Sequence, residues 1–349
     1  MPKIRVLVVE DSLTFRRCLC EALSSDPEIE IVGEAADGKT AIEICLALRP
    51  DVITLDMMLP VMSGLAATEY IMAHRPTPIL IISSSTNRGE LFKTYDALAA
   101  GAVDAMEKPI RGDRDEWAQI ISAVKLISRI KVITHLRARL AAATHPASVP
   151  RAAEQPPCRI VGIGASTGGP SAVVSVLHQI PAGFTQPILL VLHIGETLGK
   201  ALADWLDGQT QHRVSYARDG EVAADAGGRV VMAPPNRHLE VKGGRLHLSS
   251  AGPRFSCRPS VDVLFESIAR EYAAAAAACL LTGMGNDGAS GLLEIRRAGG
   301  LTLAQDQATC VVYGMPREAA MIGAAERILP LGEIGLTLAS FMAMSTQLV

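Results

Sequence analysis

The sequence predicts an α/β chain folded as two domains. Three observations carry that expectation. Short, continuous apolar runs alternate with stretches of helical periodicity, the pattern of parallel strands buried on both faces. Several of those runs stop at an acidic, hydroxyl or histidine residue, or run into glycines. The composition also breaks once, sharply, within a length of 349 residues that about two ordinary domains would fill.

The break runs from Arg137 to Arg159 and reads RARLAAATHPASVPRAAEQPPCR, with prolines at 146, 150, 156 and 157. Proline suits neither a helix interior nor a central strand, and nothing here fills a core, so the segment reads as an interdomain linker. A helical lead-in is expected over Glu116 to Leu140, where Trp117, Ile120, Ile121, Val124 and Ile127 recur at helical spacing. The domains are therefore placed at 1–125 and 158–347, with 126–157 as helical lead and linker. The run Ala273 to Ala278 reads as a close-packed helix, because alanine is the best helix former.

Within the first domain, Ile4 to Val9 forms a strand closed by Glu10-Asp11, and a helix follows over Leu13 to Leu23. Glu30 to Gly33 gives a second strand, and a helix runs near Thr40 to Leu48. Val52 to Leu55 is the third strand and ends at Asp56; Ile79 to Ile82 is the fourth and ends at Ser83. Runs this apolar belong to a parallel sheet with helices on both sides, in which ligands gather at the carboxyl ends of the strands. Glu10, Asp11, Asp56, Ser83 and Lys108, before Pro109, are the polar residues there. Side by side, three carboxylates repel unless a cation compensates them, and Mg²⁺ suits oxygen ligands of this kind. An aspartate so held can act as a nucleophile and become an aspartyl phosphate.

These segments resemble a response-regulator receiver domain: Val9-Glu10-Asp11-Ser12, Asp51 to Asp56, Leu59 to Gly64, Ser83, and Gly101-Ala102 through Lys108-Pro109. The resemblance implies a flavodoxin-like doubly wound sheet with Asp56 as phosphoacceptor. It implies Glu10, Asp11, Asp56 and the Met58 carbonyl as Mg²⁺ ligands, and Ser83 and Lys108 as contacts of the phosphate switch. Ala105 stands where the family usually carries an aromatic, and Ser63 where it usually carries an acidic turn residue.

The second domain opens with a strand from Arg159 that runs into Gly164-Ala165-Ser166-Thr167-Gly168, with a helix from about Pro170. This fits the G-x-S-x-G turn, whose small residues expose a serine hydroxyl beside free backbone N–H groups. A dinucleotide loop fits poorly, since Gly162-x-Gly164 is followed at the third position by Thr167 and no acidic residue closes the next strand. No G-K-[ST] follows the glycines, which excludes a P-loop. A serine nucleophile needs a base and an orienting acid. Pro187 to Leu192 is a buried-strand run with His193 directly after it. His178 sits in a helical pattern, His212 in a polar stretch, and His238 and His247 flank a hairpin over Val241 to Leu248. A third run, Cys279 to Leu281, enters the glycine-rich loop that carries Asp287. That residue can orient His193, while Met284 and neighbouring N–H groups can contact an oxyanion.

Residues 158–347 resemble the catalytic domain of the chemotaxis protein-glutamate methylesterases, the CheB family. The matching segments are Gly162 to Pro170, Val191 to His193, Val231 to Pro234 with His238, Arg258 to Phe265, Leu281 to Gly288, and Ala304 to Pro316. The resemblance implies a larger, Rossmann-like domain with a seven-stranded parallel sheet. Ser166 is then the nucleophile, His193 the general base and acid, and Asp287 its orienter, with Thr167 and Met284 serving oxyanion and substrate. After His193 the family usually reads Met-Pro and then Gly-Phe-Thr, where this chain has Ile194-Gly195 and Thr197-Leu198-Gly199.

The implied activity is phosphorylation-controlled hydrolysis of glutamyl γ-methyl esters on chemoreceptor cytoplasmic helices, with deamidation of receptor glutamines. The implied phosphodonor is a histidine kinase, and hydrolysis needs no cofactor. The alternative is a non-catalytic phospho-responsive module that binds receptor or kinase. The rest of the composition agrees. A net charge of -3 and pI near 6.3 give no footprint of a nucleic-acid binder. No apolar run is long enough to span a membrane, and the N-terminus lacks a signal-peptide pattern, so a cytoplasmic, monomeric chain is expected. Seven cysteines with no C-x-x-C pair read as reduced thiols.

Overall fold

The computed structural model of the protein describes residues 2–84, 87–109, 112–130 and 158–346. Most of the expected linker lies outside them. The chain divides into two compact units, Met1–Thr144 and His145–Val349.

The first unit is a five-stranded sheet of β1 (Ile4–Val9), β2 (Ile29–Ala35), β3 (Val52–Leu55), β4 (Ile79–Ser83) and β5 (Asp104–Glu107). Its order is β2-β1-β3-β4-β5 and every pairing is parallel. Val6 to Val8, Val52, Ile53, Leu55 and Ile79 to Ile82 are buried, which is why these strands read as unbroken apolar runs. The helices Leu13–Ser24, Gly38–Leu48, Gly64–His74, Arg88–Ala99 and Arg114–Ile127 alternate with the strands. Each starts at a side chain that accepts a backbone N–H of its first turn: Ser12, Asp37, Ser63, Asn87 and Asp113. Ser63 thus keeps a capping role although it is not acidic. Strand order reverses between β1 and β3, so the crevice at their carboxyl ends is the place for a ligand.

The fifth helix ends at Ile127, short of Ile130, and the rest of the expected helical stretch, 131–140, lies outside the described residues. Arg129 N bonds Leu126 O and Ile130 N bonds Ile127 O, so the chain tightens into i→i−3 turns that end the helix.

The second unit is built on seven parallel strands: β6 (Ile160–Ala165), β7 (Ile188–Leu192), β8 (Arg213–Tyr216), β9 (Arg229–Met232), β12 (Ala276–Leu280), β13 (Leu301–Gln305) and β14 (Arg327–Leu329). They lie in the order β14-β13-β12-β6-β7-β9-β8. A separate antiparallel hairpin joins β10 (His238–Lys242) to β11 (Arg245–Ser249) through Gly243-Gly244, both at positive φ as a tight two-residue turn requires. That turn centres the pairing so that His238 and His247 lie within the strands instead of flanking them.

The alanine run is not a helix. Ala273–Ala275 is one 3₁₀ turn, and Ala276 begins the fully buried strand β12 between β6 and β13. Helix propensity is a weak preference, and a central strand with both neighbours in register overrides it.

Candidate active site and phosphate site

In the first unit, Glu10 and Asp56 follow paired strands. Val9 lies opposite Leu55, and Asp56 N donates to Val9 O at 3.0 Å, which sets the two carboxylates side by side. Both are buried, and Asp11 beside them is exposed. One carboxylate oxygen from each of Glu10, Asp11 and Asp56 lies within 4.8 Å of the others. Lys108, reached from the end of β5, places Nζ 2.7 Å from Glu10 Oε2 and 2.7 Å from Asp56 Oδ2. Lys108 N also donates to Ser83 O at 3.0 Å, so the predicted lysine and serine occupy one corner of the site.

Burial and the charge of Asp56 push the Glu10 carboxyl up; Lys108 and the Ser12 N–H offset only part of that. Burial opposes the Lys108 charge, but hydrogen bonds and attraction from Asp56 and Glu10 outweigh it and hold the ammonium firmly charged. Three carboxylates gathered this closely, two of them on the Lys108 ammonium, suit a small divalent cation and a phosphoryl oxygen. Phe15, which no motif in the sequence marks, places its ring centroid 4.8 Å from Lys108 Nζ. Met58 N donates to Asp56 Oδ1 at 3.3 Å.

In the second unit, three adjacent central strands deliver the predicted triad. Ala165 at the end of β6 pairs with Leu192 at the end of β7, and His193 N donates to Ala165 O at 3.0 Å. Ser166 and His193 therefore leave the sheet side by side. On the other flank Ser166 N donates to Thr282 O at 3.0 Å, which ties the serine turn to the loop after β12. A side chain on Gly283 would put its Cβ 2.7 Å from Ser166 Cβ, so only glycine allows that approach. Gly168 has φ +75° and would meet Val311 at 2.6 Å, which makes it the second obligatory glycine of the turn. Loop 312–315 braces the same region, with Gly314 N and Met315 N both bonded to Gly283 O.

His193 Nε2 lies 2.8 Å from Asp287 Oδ2. The carboxylate is fully engaged. Oδ2 also accepts Val261 N at 2.7 Å, and Oδ1 accepts Ser260 Oγ at 2.7 Å and Asp262 N at 3.1 Å. Asp287 thus sits on the N-terminus of the helix Val261–Tyr272, where backbone N–H groups and the helix dipole favour an anion. Burial works against its ionisation, but His193, Ser260 and the Val261 N–H outweigh burial and hold the carboxyl below the usual range. Burial likewise lowers His193, while Asp287 and Cys257 overcome it and push the imidazole up to about 9.

With Nε2 bound to Asp287, His193 turns Nδ1 toward Cys257, whose Sγ is 3.7 Å away. Among the described residues no hydrogen bond joins the Ser166 hydroxyl to this ring. Thr167 is buried, and its carbonyl accepts Thr282 Oγ1; Met284 is 58% exposed at the rim of the same loop pair. Among the described histidines of the unit, His178 meets Gln209 O, and buried His212 meets Ile180 O. Buried His238 accepts Ser260 N at Nδ1, 3.1 Å away, and so steadies the residue that holds Asp287. Ser260 and Cys257, which touch Asp287 and His193, were not singled out from the sequence. Ser260 carried a readable signal, a serine directly before an apolar helical run.

Residues 161–338 match the family model for CheB methylesterase, and residues 6–121 match that for the response regulator receiver domain. The chain is 43% identical over 334 residues to protein-glutamate methylesterase/protein-glutamine glutaminase 2 of Anaeromyxobacter dehalogenans, covering 95% of each chain. It is 43% identical over 343 residues to protein-glutamate methylesterase/protein-glutamine glutaminase 1 of Caulobacter vibrioides, covering 96% of this chain and 97% of that one. The crystal structure of the Thermotoga maritima CheB methylesterase catalytic domain is similar at 35% identity and a TM-score of 0.50, covering 52% of this chain and 98% of that one. Among the described residues, no helix is long and apolar enough to cross a membrane.

Proposed function

The chain belongs to the CheB methylesterase family, and from that membership we infer that it hydrolyses glutamyl γ-methyl esters, and deamidates glutamines, on the cytoplasmic helices of chemoreceptors under control of its receiver domain. The observation that carries this reading is the 2.8 Å contact of His193 with Asp287 at the strand end beside Ser166. Ser166 Oγ attacks the ester carbonyl while His193 takes its proton. Because Nε2 is committed to Asp287, Nδ1 is the nitrogen that does this work. Catalytic hydrogen bonds of a free enzyme often tighten only when substrate is bound. Backbone donors at Thr167 and Met284 hold the tetrahedral oxyanion. His193 then returns the proton to the departing methoxide, methanol leaves, and water repeats the cycle on the acyl-serine to release glutamate. With a glutamine side chain the same steps expel ammonia. Asp287 stays ionised throughout and stabilises the imidazolium that forms.

In the first unit, Asp56 takes the phosphoryl group from a histidine kinase, and Ser83 and Lys108 contact the transferred oxygens. Glu10, Asp11, Asp56 and the Met58 carbonyl would hold Mg²⁺, which would offset the carboxylate and phosphoryl charge gathered there. The decisive experiment measures methanol release from methylated receptor, with and without a small-molecule phosphodonor. Wild type should release methanol faster with the donor, and Ser166→Ala should fall to a small residual rate; a donor-independent rate would refute receiver control.

A further inference from the structure

Cys257 is placed against the catalytic histidine by an unusual turn. Arg254 N and Cys257 O bond at 3.0 Å and Cys257 N and Arg254 O at 2.8 Å, closing a two-residue turn. Its central residues are Phe255 and Ser256, with φ of 47° and 63°, a left-handed conformation that favours glycine. Anchors hold both ends: Arg254 pairs with Glu266 at 2.6 Å, and Arg258 bonds Asn236 Oδ1 at 2.7 Å and Ala251 O at 3.0 Å. Cys257 is a free, half-buried cysteine.

One ligand atom from each of His193, Cys257 and Asp287 lies within 4.8 Å of the others. Zn²⁺ at its usual distances of about 2.3 Å from sulfur and about 2.0–2.1 Å from nitrogen would see the 3.7 Å pair at an angle of about 115°, close to tetrahedral. The opposite ring nitrogen is already held by a carboxylate, the arrangement that fixes the tautomer and orientation of metal-bound histidines. We propose that Cys257 Sγ and His193 Nδ1 form a binding site for a borderline-soft divalent cation of the zinc class, with Asp287 as the carboxylate behind the histidine.

Binding releases to solvent the thiol proton and, where the imidazole is charged, the Nδ1 proton, so the ligands are thiolate and neutral imidazole, and water fills the remaining positions. The bound cation takes up the Nδ1 lone pair. On the reading of His193 as general base, the occupied enzyme is therefore inhibited. The acidic cluster of the first unit offers only oxygen donors and prefers Mg²⁺, which leaves the sulfur–nitrogen pair as the softer of the two sites.

The test titrates the reduced full-length protein with Co²⁺ in excess Mg²⁺, which keeps the acidic cluster filled. Expected are one equivalent bound and a thiolate-to-cobalt charge-transfer absorption that Zn²⁺ displaces. Cys257→Ala and His193→Ala should lose the band, and Ser166→Ala should keep it. In parallel, Zn²⁺ should stop methanol release by wild type, and Cys257→Ala should need at least about tenfold more Zn²⁺ for the same fractional loss. No band in wild type, or an undiminished band in Cys257→Ala, overturns the site. A band that behaves as expected while Zn²⁺ leaves methanol release untouched supports the site and refutes His193 as the base.

Discussion

Asp287 accepts His193 Nε2 at 2.8 Å through the same oxygen that accepts the Val261 N–H at 2.7 Å. One carboxylate therefore orients the imidazole and caps a helix. Asp287→Asn keeps the shape but turns one side of the group into a donor, facing either the ring or the helix N–H groups. The variant should fold, lose on the order of 10⁴ in methanol release, and lose about 1–3 kcal/mol of stability from the disturbed buried contacts. Steady-state rates and urea unfolding check both numbers; unchanged stability would show that the helix does not depend on this carboxylate.

Ser260 holds the other oxygen of Asp287 at 2.7 Å and caps the helix through Val263 N at 3.4 Å. Ser260→Ala should therefore cost about 1 kcal/mol as a lost cap and also lower kcat, with KM little changed, because Asp287 gains freedom. A stability loss with no change in kcat would confine Ser260 to the cap.

The pH dependence follows from the imidazole pushed up to about 9. A base must be neutral, and a raised pKa keeps the ring charged over more of the neutral range. Methanol release should rise with pH to a midpoint well above the ordinary histidine value of about 6.5. Cys257 is one of the two groups that raise it, so Cys257→Ala should move the midpoint downward. The kcat/KM profile, taken with chelator present, checks the direction; a midpoint that moves up contradicts the electrostatic account.

The receiver prediction concerns Asp56, whose Oδ2 lies 2.7 Å from Lys108 Nζ. Asp56→Asn should take up no phosphoryl group from a small-molecule donor and should leave the basal methanol release of the unphosphorylated chain without its donor response. Intact-mass measurement reads the first and rate assays the second; phosphate retained on Asp56→Asn would move the acceptor to another residue.

Much of this was legible because α/β sheets put their chemistry at strand ends. Glu10, Asp56, Ser83, Ser166 and His193 each follow or close an apolar run, and in each case the run is a buried parallel strand. The alanine run misled because composition says nothing about neighbours: Ala276–Leu280 is a strand only by virtue of its register with Ile160–Gly164 and Leu301–Ala304. Cys257 was invisible for a related reason. It lies 64 residues from His193 in sequence, and only an irregular turn with two left-handed residues brings the pair to 3.7 Å. The end of the fifth helix depended on i→i−3 turns that apolar periodicity does not encode.

Methanol release from methylated receptor by phosphorylated Ser166→Ala decides whether Ser166 acts on an ester through His193. The rate should fall to the small residual over water, roughly 10³–10⁴, that positioning and oxyanion donors sustain without a nucleophile. A variant that kept most of the wild-type rate would contradict that role.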